Sequence, residues 1–144
     1  MDSPRPLQVR DCQGTLWAFY RKYEGVALAS FEGDLSALGL QALPGSTTQE
    51  TGALKRQTAA PELDFVVVPI TRENTASLKA VLSSPRVLGE NGTVIHTQIE
   101  VAGEPVLVAC DNFHDECTVV SRSVSEEFLF QLKQSGVLRG YGDA

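Results

Sequence analysis

The reactive side chains of this sequence crowd into one run, Cys110-Asp111-Asn112-Phe113-His114-Asp115-Glu116-Cys117. A zinc site here would need Cys110, His114 and Cys117 to converge at about 2.0–2.3 Å from one ion, with Asp111, Asp115 or water as fourth ligand. The spacing C-x3-H-x2-C permits this but matches no zinc signature, and alternation along the preceding strand turns Cys110 toward the core. Nucleophilic catalysis would need a thiol or hydroxyl with a base about 3 Å away and a third group orienting that base. Cys117 with His114, and Asp115 beside them, is the best such set in the chain. The segment is acidic, however, whereas reactive cysteines sit in electropositive surroundings. The catalytic candidates are therefore His114, Cys117 and Asp115, and the metal candidates Cys110, Asp111, His114 and Cys117; neither set amounts to a motif. The plainer expectation is a polar turn in which Asn112 and Asp115 bond locally and Phe113 anchors the loop. That turn offers Asp111, Asn112, Phe113, His114, Asp115 and Glu116 as an interaction surface, with no cofactor expected.

The second histidine, His96, falls on the polar side of an alternating segment, where it could share one end of a sheet with His114. Adjacent carboxylates at Glu126-Glu127 do not face each other on a helix and suit a helix N-terminus better than acid–base work. Glycines occur singly, and G-x-G-x-x-G, G-x-x-x-x-G-K and G-x-S-x-G are all missing, so nucleotide binding and α/β-hydrolase chemistry lack support. Trp17, Phe19, Tyr20 and Tyr23 gather aromatic surface near the N-terminus, which core packing explains in most proteins.

These side chains must be positioned by elements that the pattern of apolar residues outlines. Gln13-Gly14 and Glu24-Gly25 resemble two-residue hairpin loops, which predicts a meander over 7–12, 15–23 and 26–32. The middle piece is ambiguous: Leu16, Phe19, Tyr20 and Tyr23 also form a helical stripe, but aromatic content and flanking glycines favour strand. Residues 44–61 are polar and poor in apolar side chains, which predicts a mobile loop with at most a weak helix over 49–57. The run 63–70, with three consecutive valines, reads as a central strand covered on both faces. Thr71 then caps a helix over 72–84, stopped by Pro85. Residues 93–101 and 104–110 form a hairpin around Ala102-Gly103, with Ile99 facing Val106, Thr97 facing Val108 and Ile95 facing Cys110. A short strand over 117–120 precedes a helix whose cap is Ser123, on capping-box spacing with Glu126, and whose end is Gly136. Residues 137–141 return as an edge strand.

The expected fold is α+β: a mainly antiparallel sheet, made of the N-terminal meander, the central strand and the C-terminal hairpin, packed against two helices. At 144 residues one domain spanning 1–144 is the natural reading. A net charge of −6 argues against nucleic acid and anionic lipid as partners. No apolar run approaches the roughly 18 residues of a membrane helix, and the first twenty residues lack a secretory h-region. Three cysteines suit a reducing compartment, so the expected location is cytoplasmic. Together these features favour an acidic protein-binding or regulatory domain of inhibitor or immunity type over an enzyme. The alternatives are a small metal-assisted or thiol enzyme centred on 110–117, and a homo-oligomeric structural subunit.

Overall fold

The computed structural model describes residue 1 and residues 3–142. Seven strands form one antiparallel sheet: β1 (Arg5–Val9), β2 (Ala27–Gly33), β3 (Asp64–Pro69), β4 (Val94–Val101), β5 (Glu104–Ala109), β6 (Thr118–Val120) and β7 (Leu138–Tyr141). Their order across the sheet is β3-β2-β4-β5-β6-β1-β7. Among the described residues three α-helices accompany it, α1 (Cys12–Lys22), α2 (Arg72–Leu82) and α3 (Glu126–Gln134). The architecture is α+β, as the sequence leads one to expect. Among the described residues no helix is long and apolar enough to cross a membrane.

The N-terminal segment differs from the expected meander. Residues 12–22 are helix, because the Asp11 carboxylate caps the first turn through Gly14 N–H at 2.8 Å. Arg21 and Lys22 complement the dipole at the other end. A Cβ on Gly14 would sit 2.4 Å from Asp11 Oδ2, so a glycine at this position leaves the cap room to close. The stripe Leu16, Phe19 and Tyr20 is buried, and the helical period overrides the β propensity of its aromatic residues. With α1 between them, β1 and β2 are not neighbours: β1 pairs with β6 and β7 instead.

Three further expectations shift in detail. The valine-rich strand β3 is an edge strand rather than a central one, yet it is covered on both faces as its composition requires. Val66 and Val68 join the main core, while Phe65 and Val67 pack with Leu54 on the other side. The hairpin does turn at Ala102-Gly103, both with positive φ, and Val101 opposes Glu104. A bulge between Ile99 and Glu100 then moves the register by one, so Ile99 faces Leu107 and Thr97 faces Ala109. The third helix is capped by Ser125, whose hydroxyl accepts from Phe128 N–H, rather than by Ser123.

One continuous core unites the helix-side face of the sheet with all three helices, including Leu7, Phe31, Ile99 and Leu107 from strands and Phe19, Leu78 and Leu129 from helices. The opposite face is polar along its centre: Ser30, Glu32, His96, Gln98 and Glu100 are all buried. What buries them is the segment 44–61, which forms no helix and crosses this face as a strap. Thr47 opens the crossing with two backbone hydrogen bonds to Val67 on the outer edge of β3.

Candidate functional site

The turn at 110–117 hangs from the first half of β4. Asn112 N–H donates to Ile95 O at 2.8 Å, and its side-chain Nδ2 donates to Gly92 O at 3.0 Å and Val94 O at 3.1 Å. Asp111 N–H donates to His96 Nδ1 at 3.1 Å. Phe113 inserts into the main core. These ties hold Asp111, Asn112 and Phe113 at φ of 50°, 57° and 64°, three successive non-glycine residues in the left-handed region. The conformation costs up to about 1–2 kcal/mol per residue, most for Phe113 and less for Asp111 and Asn112, so the turn exists because its surroundings over-determine it. Backbone strain of this kind concentrates at functional sites.

The strained turn forms one wall of an open cleft of about 830 Å³. The facing walls come from the end of β1 and the start of α1 (residues 9–13), from the loop at residues 85–90, and from Arg139 on β7. Gln13 ties two walls together, donating through Nε2 to Leu82 O at 3.1 Å and Leu88 O at 2.8 Å. Arg10 and Asp11 both donate their amides to Val137 O at 3.0 Å, which fixes the entry to α1 against the approach to β7. Gly92 lets the 85–90 loop lie flush on β4, since a Cβ there would fall 2.4 Å from Val87 O.

Asp11, Glu90, Asp111, Asp115 and Glu116 line the cleft, against Arg10 and Arg139. Arg139 is already engaged, its guanidinium 2.5 Å from Asp115 Oδ1. That hydrogen bond holds the Asp115 carboxyl below the usual carboxylate range. The cleft therefore carries a surplus of carboxylate.

All six residues of the expected interaction surface, Asp111 to Glu116, line this cleft. The catalytic and metal candidates are not drawn together in the same way. The Cys117 thiol turns to Cys110 O at 3.7 Å and the Asp111 carboxylate at 3.5 Å, not to His114. His114 Nδ1 instead accepts from Glu116 N–H at 3.2 Å. Desolvation, the Asp111 hydrogen bond and nearby negative charge raise the Cys117 thiol. Cys110 lies under the strap, 3.6 Å from Gln57 Oε1, and burial pushes its thiol up to about 11. Among the described residues no three His, Cys, Asp or Glu side chains are grouped so as to hold a metal ion.

Sequence reasoning missed two contributors and misplaced a third residue, His96. Cys12 lines the cleft as the first residue of α1, its thiol pushed up to about 11 by burial and by Asp11. Arg139 reaches the turn from β7. His96 does not share the cleft with His114; it is buried beneath the strap, where Nδ1 supports the turn and Nε2 lies 2.8 Å from Thr58 Oγ1. With Nδ1 accepting the Asp111 amide, Nε2 carries the proton and donates to Thr58. Of the two missed residues, only Cys12 had a signal, the spacing Asp11-x-x-Gly14 that marks a helix start beside it.

No family model, no curated protein and no solved structure matches this chain.

Proposed function

We propose that this chain is a protein-binding domain of regulatory, inhibitor or immunity type, whose acidic cleft receives a basic segment of another protein. The observation that carries the reading is the strained turn 111–113 set into a cleft with five carboxylates and two guanidiniums. A rigid wall loses little conformational entropy on binding, and a carboxylate surplus attracts lysine and arginine side chains and speeds their approach. The overall charge of −6 acts in the same direction and opposes nucleic acid and anionic lipid. The geometry supports binding over thiol catalysis, since the Cys117 thiol is raised and turns to Cys110 O and the Asp111 carboxylate rather than to His114. A cytoplasmic location accords with three cysteines that all stand as free thiols.

The test is affinity capture with the wild-type chain beside a Glu90→Lys/Glu116→Lys variant. Both glutamates are exposed and line the cleft, so the fold should tolerate the reversal. The reading expects a basic protein, retained stoichiometrically by the wild type, to be lost from the variant. Equal retention by both would reject the cleft as the binding surface.

A further inference from the structure

Cys110 and Cys117 stand opposite each other where β5 ends and the chain returns into β6. Ala109 pairs with Thr118, and one step further out Cys110 N–H donates to Cys117 O at 3.3 Å. Directly opposed residues of an antiparallel pair project to the same side of the sheet. Cys117 N–H turns to His114 O at 3.0 Å, so the two share one of the two bonds of a full ladder pair, whose Cα atoms lie roughly 5.5 Å apart, inside the roughly 4.4–6.8 Å that a disulfide spans. The Cys117 sulfur already lies 3.7 Å from the Cys110 carbonyl oxygen.

We propose that Cys110 and Cys117 form a reversible disulfide that clasps the turn lining the cleft. Residues 111–116 lie wholly inside the ring it would close, and all of them line the cleft. The bridge would also take the Cys117 sulfur away from the Asp111 carboxylate, now 3.5 Å distant, and so release that carboxylate. Formation of the bridge does not depend on the cleft being a binding site; its effect on a partner rests on that reading.

The oxidant is a low-molecular-weight disulfide, RSSR. Cys117, the less buried of the two, attacks as thiolate, forming a Cys117–SR bond and expelling RS⁻, which takes up a proton to become RSH. Cys110 thiolate then attacks the Cys117 sulfur, forming the protein disulfide and expelling the second RS⁻, also protonated. Two protein thiols are oxidised, one RSSR is reduced to two RSH, and the protons balance. Burial pushes Cys110 up to about 11 and raises Cys117 as well, so exchange is slow at neutral pH and quickens as pH rises. Cys12, pushed up to about 11 likewise, begins α1 on the facing wall and serves as the internal control.

The experiment incubates the full chain with oxidised glutathione at mildly alkaline pH, counts thiols in denaturant, and digests with a protease that cuts after Glu116. The expected result is a fall from three thiols to one, that one being Cys12, with the Cys110 and Cys117 peptides joined until reduced. Amide exchange across 111–116 should slow in the bridged form. A stable glutathione adduct on Cys117 beside a free Cys110, a bridge through Cys12, or three unreacted thiols in a chain that reacts once denatured would each overturn the proposal. Unchanged exchange of the turn in a bridged chain would overturn the clasp. The bridged chain can also be titrated with a lysine- and arginine-rich peptide. Failure of both redox forms to bind would count against the cleft reading while leaving the bridge standing.

Discussion

Asn112 shows how one side chain can hold a strained backbone in place. Its amide satisfies two carbonyls at the start of β4 while its backbone sits at φ 57°, and asparagine tolerates that region better than other side-chain-bearing residues. Asn112→Ala removes both bonds and adds backbone cost, so it should lower unfolding free energy by about 2–4 kcal/mol in urea titrations. Asn112→Gly keeps the conformation and loses only the bonds, so it should fall about 1–2 kcal/mol nearer the wild type; equal losses would show that backbone strain is not what the asparagine offsets. The buried thiols give a pH dependence. Cys12 and Cys110 are raised from 9.0 to about 11 in the folded chain, so the fold favours their protonated form. Their contribution is complete below pH 9.0 and is lost as pH climbs through about 11. Urea midpoints should therefore fall over that window, and a Cys12→Ser/Cys110→Ser chain should fall less steeply. At this scale the sequence made the turn legible through its density of polar residues. It could not reveal that His96 supports the turn, because alternation assigns a side chain to a face and says nothing of what covers that face.

The strap is the element least legible beforehand. A segment poor in apolar residues carries little signal of where it lies, and this one is held chiefly by polar ties. Gln57 and Thr58 donate their amides to the Glu32 carboxylate at 2.7 Å and 3.1 Å, Gln98 Nε2 donates to Lys55 O at 2.7 Å, and the Thr51 hydroxyl donates to Glu100. Leu54 is its one fully buried apolar anchor, packed on Phe65 and Val67. Leu54→Ala should cost about 2–4 kcal/mol if the strap is integral to the fold. In that variant the amides of Gln57 and Thr58 should exchange faster than those of β4; uniform acceleration would mean that strap and sheet open only together. The segment 15–23 failed for a different reason. Its aromatic residues fit both periods, and the decision lay with Asp11, a cap three residues before Gly14. Asp11→Ala should destabilise the chain by about 1 kcal/mol, with loss of helical circular dichroism near the midpoint; no change would remove the cap as the reason this segment is helix. The one-residue shift in the hairpin comes from the Ile99/Glu100 bulge, which the hydrophobic pattern does not mark.

At the scale of the molecule, the α+β antiparallel architecture was readable from valine-rich and alternating runs, while the strand order was not. The order places β1 between β6 and β7, and that placement carries the start of α1 to the turn that follows β5. Four segments far apart in sequence thus enclose one cleft, a convergence that no local spacing announces. The polar face under the strap and the acidic cleft meet at His96, which bonds Thr58 on one side and the Asp111 amide on the other. The proposed function makes the cleft the place where a basic protein segment docks. Its most direct test is a titration of the isotope-labelled chain with a short lysine- and arginine-rich peptide, followed by amide chemical shifts at low and high salt. Saturable shifts concentrated at residues 10–13, 85–90, 111–116 and 139 are expected, weakened by salt and absent from the Glu90→Lys/Glu116→Lys variant. Shifts scattered evenly over the acidic surface, or unaltered by the charge reversal, would contradict it.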